Sequence, residues 1–455
     1  MIKGFRSPHL KTVLIAWITL AAAHVAVADG LLPVGRVAGD QRSQFSPAVA
    51  YDGEGTYLLV WQQGLNYFEQ KAADIYAVRI RNDGTVLDER PLAICTAPDS
   101  QERPRVAFSN GRFLIVWQDL RNGRDWDVYG AHVTSGGEVV EANGFAIADG
   151  PHSQAMPALA PASGGFLAVW QDFTNGRFYR LYAAHLDLAT GIQNRGPLYL
   201  PDREKIQWSG YTPGWGFERH PLAQDYQDSD TAHGGEPSVA QSPGGGWLLS
   251  WIDETNWAPG GEGGISRRFG FLPGNRNGRW QLSDIERSPS AWLGKSGGRL
   301  VTGAENVLFV GWSNAGRHLY AAGALYQGNS ADASTNLNEE PSFNRSGWNT
   351  EKMILFNHPR HAVGPSPSAV ATRRGYLVTT VSPARRPGEP FRVIGIRIDA
   401  RGKRLDSLNR PLVLARSLEP IATPVVAASD SEFLVAFERE TEQERQIWFS
   451  IVAGL

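Results

Sequence analysis

Cysteine is almost absent from this sequence, and its scarcity excludes several kinds of site. The 455 residues include one cysteine, Cys95. A single cysteine cannot form an intrachain disulfide, so the stability of the fold must come from packing. A thiolate zinc site and an iron–sulfur cluster are excluded for the same reason. Cys95 follows the apolar run 91–94, which predicts a small buried side chain.

The sequence also lacks an excess of charge of either sign. Lys and Arg total 44, Asp and Glu total 46, and the formal net charge is −2. This balance gives no reason to expect a nucleic-acid partner. The phosphate-loop, dinucleotide-binding, Gly-x-Ser-x-Gly and His-Glu-x-x-His motifs are absent as well.

Long hydrophobic runs are missing after the first segment of the chain. Residues 1–28 combine a basic start (Lys3, Arg6, Lys11), an apolar run from Thr12 to Ala23, and a small-x-small site at 26–28. This is the pattern of a cleaved secretory signal, and the run is too short for the ~20 residues of a spanning helix. We therefore expect an exported protein, periplasmic or extracellular, with no membrane span once the signal is removed.

Glycine and aromatic residues are abundant. The sequence contains 50 Gly, 15 Trp, 13 Tyr and 19 Phe. Many tight turns together with many large flat side chains favour an all-β protein built from short strands.

A short pattern recurs along the chain: an aromatic or apolar residue, a short apolar run, and usually a closing Trp. The seven copies are 57–61, 113–117, 166–170, 247–251, 308–312, 376–380 and 433–437. Most copies follow a Pro and a second apolar run, and several precede a third strand such as 74–80 or 127–133. Four short antiparallel strands per repeat are typical of a β-propeller blade, which must stack on its neighbours to bury both faces.

The ends of the chain suggest how such a ring closes. The last repeat ends after its third strand, whereas Leu32 to Ala38 resembles a fourth strand that precedes the first repeat. The sequence thus predicts a seven-bladed β-propeller of four-stranded antiparallel blades, closed by the N-terminal strand completing the last blade. We expect one domain over residues 29–455, with a long loop insertion at 201–236.

The first three repeats resemble a known but largely uncharacterised group. Val116 to Gly123 (VWQDLRNG), followed by Asp127-Val128-Tyr129, is similar to the Trp-containing repeats of exported bacterial proteins. The likeness covers about residues 40–200 and is weak beyond them. It implies a propeller fold and export, and it carries over no catalytic residue.

Candidate site residues concentrate where propeller loops are longest. The loops from a fourth strand to the next first strand, and from a second to a third strand, share one face, called here the long-loop face. Long loops on a rigid scaffold commonly carry function. Insertion 201–236 should lie on this face, near the axis, with His152 on a neighbouring blade. The predicted ligand-binding residues are His152, Trp208, Tyr211, Trp215, Asp225, Asp228 and Asp230.

The residue types in the insertion allow two interpretations. Its aromatic rings can stack on sugars, and its charged groups can bind hydroxyls or act as acid and base. The catalytic candidates are Arg219, His220, Tyr226 and His233; a loop containing His358, Arg360 and His361 could contribute too. The other interpretation is a structural lid over the axis. Asp225, Asp228 and Asp230 form a weak Ca²⁺ candidate, since they lack the Gly and distal Glu of an EF-hand loop.

Two functions follow from these observations. The first is an exported propeller that binds a glycan or an extracellular protein on its long-loop face. The alternative is a polysaccharide-active enzyme, a uronate lyase or a glycoside hydrolase, with its site at the 201–236 insertion. We expect a monomer and no cofactor other than the Ca²⁺ candidate.

Overall fold

The structure is a computed structural model. It describes residues 35–37, 42–64, 72–176, 179–199, 235–253, 266–276, 279–282, 284–287, 298–315, 318–326, 348–359, 367–384, 386–407, 410–442 and 444–453. The predicted signal segment and nearly all of the 201–236 insertion lie outside these residues. No helix in the described part of the chain is long and apolar enough to cross a membrane.

The described residues form strands and turns, without a helix. In chain order the strands are β1 (Gly35–Arg36), β2 (Gln44–Tyr51), β3 (Thr56–Gln63), β4 (Asp74–Arg81), β5 (Leu92–Cys95), β6 (Gln101–Ser109), β7 (Arg112–Asp119), β8 (Asp127–Thr134), β9 (Phe145–Ala148), β10 (Gln154–Ala162), β11 (Gly165–Asp172), β12 (Arg180–Asp187), β13 (Gly191–Tyr199), β14 (Gly235–Gln241), β15 (Trp247–Asp253), β16 (Ser266–Leu272), β17 (Asn275–Arg276), β18 (Arg279–Gln281), β19 (Asp284–Arg287), β20 (Arg299–Thr302), β21 (Val307–Ala315), β22 (His318–Tyr326), β23 (Trp348–Pro359), β24 (Ser368–Thr372), β25 (Gly375–Ser382), β26 (Phe391–Asp399), β27 (Leu412–Ser417), β28 (Ile421–Ala428), β29 (Glu432–Glu440) and β30 (Arg445–Ala453).

These strands assemble into seven sheets, numbered here along the chain. Sheet 1 is β2-β3-β4-β5, sheet 2 is β6-β7-β8-β9, and sheet 3 begins β10-β11-β12-β13. Sheets 4, 5 and 6 are β14-β15-β16-β19, β20-β21-β22-β23 and β24-β25-β26-β27, and sheet 7 is β28-β29-β30-β1. The prediction of an all-β chain built from four-stranded antiparallel units is confirmed.

Each sheet is buried on both faces, and the repeated apolar run explains why. Successive strand residues point to opposite faces. Leu59 and Trp61 of β3 therefore pack with sheet 7, and Leu58 and Val60 pack with sheet 2. The sequence of a strand with two buried faces is a continuous apolar run rather than an alternation of apolar and polar residues.

Seven apolar clusters fill the spaces between the sheets. Six clusters each join two sheets that follow each other in the chain, and the seventh joins sheet 7 to sheet 1. The first strands also contact one another in order, from β2 and β6 through to β24 and β28, and β28 contacts β2. The first strands of these sheets therefore lie next to one another.

The N-terminal segment joins sheet 7. Gly35 and Arg36 pair antiparallel with Phe449 and Trp448, and the N–H of Val37 donates to the carbonyl of Ile447. The side chain of Val37 is fully buried in the cluster between sheets 7 and 1. The paired stretch is shorter than the predicted strand 32–38.

One pairing was not anticipated from the sequence. The short strand β18, which lies between β16 and β19 in the chain, pairs in parallel with β13 of the preceding sheet. Trp280 explains the attachment, because its ring is buried between sheets 3 and 4 and its indole N–H donates to the carbonyl of Asn194.

Candidate functional site

The strand ends define the long-loop face. In sheet 1, Gln44 at the start of β2 pairs with Gln63 at the end of β3, and Gln63 also pairs with Asp74 at the start of β4. Cys95 at the end of β5 pairs with Ile75. The loops that enter first strands and those between second and third strands thus emerge together, as the sequence predicts.

Most sequence-predicted site residues lie outside the described part of the chain. These are Trp208, Tyr211, Trp215, Arg219, His220, Asp225, Tyr226, Asp228, Asp230, His233, Arg360 and His361. His358 belongs to β23. Gly235 and Glu236, the last residues of the predicted insertion, begin β14 on the long-loop face.

His152 lies on the long-loop face, as predicted. It is exposed in the turn before β10 and has a left-handed backbone, with φ of 61°. Its ring meets Phe173 edge-on, with centroids 6.1 Å apart. Gly176 packs so closely beneath it that a Cβ there would lie 3.1 Å from Nε2 of His152. Both contacts come from the second-to-third loop of its own sheet, and no other predicted site residue is described beside it.

A repeated β-bulge, which sequence reasoning missed, shapes the same face. In sheets 1, 2, 3, 4 and 7 the register between first and second strands slips near the start of the first strand. A non-glycine residue at each slip has a left-handed backbone, which costs of order 1–3 kcal/mol and marks a position held by its surroundings. These bulge residues are Ser46, Arg103, Met156, Glu236 and Thr423, with φ of 51°, 56°, 53°, 47° and 44°.

Hydrogen bonds to a side chain of an adjacent sheet hold four of these bulges. The N–H of Arg103 donates to Oε1 of Gln62 at 3.0 Å, and the N–H of Ser46 donates to Oε1 of Glu438 at 2.8 Å. Met156 and Glu236 repeat this bond to Gln118 and Gln171, each at 3.3 Å. Each acceptor directly follows the closing residue of the repeated motif. The backbone is thus the same at each position, whereas the side chain is free to differ.

The sequence carried a signal for these positions. Each bulge residue directly precedes the proline of a repeated apolar run, at Pro47, Pro104, Pro157, Pro237 and Pro424. A following proline disfavours the right-handed helical region for the residue before it. The recurrence therefore marked an unusual backbone, although it did not specify the left-handed one.

Burial lowers the pKa of two arginines in first strands. Arg105 belongs to β6 of sheet 2, and Arg299 begins β20 of sheet 5; both are partly buried. Desolvation, followed by the positive charges of Arg299 and Arg103, lowers the pKa of Arg105 to about 9. Desolvation also lowers the pKa of Arg299.

Arginines elsewhere in the repeats have carboxylate partners. Arg79 and Arg397 occupy the same place in third strands, and each forms a 2.7 Å ion pair with an acid nine residues later, Asp88 or Asp406. His132 fills this place in sheet 2 and contacts Glu141 at 3.2 Å. These contacts stabilise the connection between the third and fourth strands, so the residues at this position have a structural role.

Asp127 is a buried carboxyl group at the edge of the long-loop face. It begins β8, and burial, together with the charges of Asp125 and Asp149, raises its pKa to about 6. Asn122 opposes this shift by donating to Oδ2 at 2.9 Å. Within the described residues, Oδ1 of Asp127 has no hydrogen-bond partner.

The shift at Asp127 predicts a dependence of stability on pH. A carboxyl group whose pKa is higher in the folded state binds its proton more tightly there. Its contribution is most favourable below about pH 4 and is lost as the pH rises through about 6. Asp127→Asn removes the ionisable group and with it the cost of burying a charge. The variant should therefore be more stable than the original protein at pH 7 by about 1–3 kcal/mol, the lower value allowing for solvent screening. Denaturant unfolding of both proteins between pH 4 and 8 measures it; parallel curves would contradict it.

No metal centre is present in the described part of the chain. No three His, Cys, Asp or Glu side chains come close enough there to hold a metal ion. The predicted Ca²⁺ candidate lies outside these residues. Cys95 is buried as predicted, and burial raises the pKa of its thiol to about 11.

Comparisons with known proteins yield only loose likenesses. No protein-family model matches the chain, and no curated protein matches it. A protein of unknown function from Dyadobacter fermentans is 14% identical with a TM-score of 0.46, over 93% of this chain and 99% of that one. An α-L-arabinofuranosidase from Fusarium graminearum is 11% identical with a TM-score of 0.42, over 93% and 98%.

A sialidase from Trypanosoma rangeli is 10% identical with a TM-score of 0.42. The match covers 90% of this chain and 55% of the sialidase, so this chain spans about half the sialidase's length. With TM-scores this low, none of the three likenesses supports a conclusion about this chain.

Proposed function

We propose that the seven sheets are the blades of one closed β-propeller. The repeated contact between successive first strands includes the contact between β28 and β2. The bond from a bulge N–H to the preceding sheet likewise recurs between Ser46 and Glu438, from the first and last sheets. In a linear stack, the first and last sheets would be far apart. They would not form the contact between first strands that neighbouring sheets form.

We propose further that this propeller acts after export and binds a glycan on its long-loop face. The observation that carries the proposal is the set of bulge residues: a strained backbone position held in the same way in several sheets, with a different side chain in each. Backbone strain is concentrated at functional sites, and a rigid ring of variable side chains suits selective binding.

The distribution of exposed apolar side chains favours a polar ligand. Four large apolar side chains are exposed in the described residues: Val86, Val140, Leu405 and Leu418. The first three belong to third-to-fourth connections on the opposite face. Among the described residues of the long-loop face, Leu418 is the one exposed large apolar side chain. Such a surface suits a hydroxyl-rich ligand better than a protein with an apolar contact surface. The enzymatic alternative depends on residues outside the described part of the chain.

Asparagine substitutions test this site without disturbing the backbone. Asn tolerates the left-handed conformation, so Arg103→Asn combined with Met156→Asn should remove two side chains and keep the bulges. We expect the mature protein to bind at least one member of a panel of neutral and uronate oligosaccharides, and the double variant to bind it at least about tenfold more weakly. Glycan-array binding, followed by calorimetry on the oligosaccharide that binds, measures the change.

The matched control places the same kinds of change on the opposite face. Arg81 and Val140 are exposed there, so Arg81→Asn with Val140→Asn should leave the affinity unchanged. Equal losses in both double variants, or no glycan binding by the mature protein, would reject the proposal. Release of new reducing ends from a bound glycan would identify the enzymatic alternative.

A further inference from the structure

We propose that Glu438 makes the contact between sheets 7 and 1 sensitive to pH, because its carboxyl group joins the two sheets and loosens their contact when it ionises. The proposal goes beyond glycan binding and needs only the contact that the structure shows between these two sheets. It arises from one difference among the four bulges that a side chain of an adjacent sheet holds in place.

The acceptor at this contact is an acid, whereas the other three acceptors are amides. Gln62, Gln118 and Gln171 accept the bulge N–H groups of sheets 2, 3 and 4. Glu438 also follows the closing residue of its repeat, and it accepts the N–H of Ser46 at 2.8 Å. A glutamine amide stays neutral, whereas a carboxyl group loses its proton as the pH rises. Of these four contacts, only the one between sheets 7 and 1 therefore has an acceptor that titrates.

The carboxyl group of Glu438 is buried between the two sheets. Glu438 belongs to β29, and 4% of its surface is exposed. Its Oε1 accepts the Ser46 bond, and its Oε2 accepts from Nη1 of Arg445 in β30 at 3.3 Å. The side chain of Thr423, the bulge residue of sheet 7, hydrogen-bonds to the same carboxyl group. One carboxyl group thus contacts the bulge residues of both sheets.

Arg445 connects the same carboxyl group to sheet 1. Its backbone N–H donates to Oγ of Ser43 at 3.2 Å, and its guanidinium lies over the ring of Phe45, 5.2 Å from the centroid. Its Nη2 lies 3.2 Å from Glu440, so its charge is shared between two acids. A cation that is shared and partly exposed compensates a buried carboxylate incompletely.

The other strands packed around Glu438 bring no charge to it. The strands β2 (QFSPAVAY) and β28 (IATPVVAA) contain no charged residue. Arg439, the next residue in β29, pairs with Glu419 at 2.6 Å. Among the described residues, Arg445 is therefore the charged group that acts on Glu438.

The balance of these contacts gives the direction of the effect. Burial is the largest influence and raises the pKa of Glu438, while the Ser46 N–H, the charge of Arg445 and the Thr423 side chain oppose the rise. The contribution of Glu438 to the contact is thus fully present below about pH 4.5 and is lost as the pH rises through its raised pKa. The protonated group can still accept the Ser46 N–H, so it keeps the bond without burying a charge.

Hydrogen exchange of the Ser46 amide tests the proposal in the mature protein. Its protection is measured between pH 5 and pH 8, corrected for the intrinsic rate, beside that of the Arg103 amide, whose acceptor Gln62 is neutral. We expect protection at Ser46 to fall roughly threefold to tenfold relative to Arg103 over this range, because local opening becomes easier. Equal profiles at the two amides, or protection at Ser46 that increases with pH, would overturn the proposal.

Two glutamine substitutions identify the group responsible. Glu438→Gln installs the amide that the other contacts use, so Ser46 should stay protected and the fall with pH should disappear. Glu440→Gln is the matched control, because Glu440 is exposed on the same strand and pairs with the same Arg445; the fall should remain. A fall that persists in Glu438→Gln, or that disappears in Glu440→Gln, would overturn the role of Glu438. If Glu438→Gln does not fold, the comparison of Ser46 with Arg103 in the unchanged protein decides.

Discussion

Trp117→Ala is expected to lower the free energy of unfolding by about 3–5 kcal/mol, the range for truncation of a large buried aromatic residue. The Trp117 ring is fully buried in the cluster between sheets 1 and 2. Its indole N–H donates to Oδ2 of Asp119 at 2.8 Å. Gly144 lies so close that a Cβ there would be 2.4 Å from the ring. Because the atoms around the ring are closely packed, they cannot easily move in to fill the cavity that the substitution creates.

Urea unfolding of the variant and of a control measures the effect. Trp126 is a suitable control, because it lies in a loop of the same sheet and is only partly buried. Trp126→Ala should cost about 1 kcal/mol, as expected for partial loss of burial. A similar small loss for Trp117→Ala would mean that the ring does not fill the interface between sheets 1 and 2.

Removal of residues 29–40 should also destabilise the mature protein strongly, by roughly 3 kcal/mol from the lost burial of one valine and the lost backbone hydrogen bonds. Val37 is fully buried, and β1 provides the fourth strand of sheet 7. Gly35 lies against Phe449, where a Cβ would be 2.8 Å from the ring. Without this segment, β30 becomes an open strand edge, which also promotes aggregation.

A shorter deletion distinguishes the effect of losing β1 from the effect of shortening the chain. Removing only residues 29–34 keeps Gly35, Arg36 and Val37 and should leave the unfolding free energy close to that of the mature protein. Val37→Asp should reproduce much of the larger effect, since it buries a charge without a partner. Equal stability of the two deletion variants would reject the role of β1 in sheet 7.

The repeat made much of the fold predictable. Apolar runs such as 57–61 and 113–117 can be buried on both faces only if a sheet packs on each side, so the sequence pattern already required stacked sheets. The short segment before the first repeat was recognisable as a fourth strand because it resembles the fourth strands of the early repeats. The pairing of β18 with β13 was not predictable, since it depends on where Trp280 finds space between two sheets.

The candidate site was much less predictable. The sequence directed attention to the insertion and to His152, because aromatic and titratable residues in a long loop are a visible signal. The left-handed bulge residues, such as Arg103 and Met156, were not among the predicted site residues. The sequence by itself determined the units, their order and their need to stack, because these follow from local periodicity. Only the tertiary structure decided where Trp280 packs between two sheets and which bulge residues take a left-handed backbone. Both depend on atoms supplied by other sheets, at separations along the chain that no local pattern records.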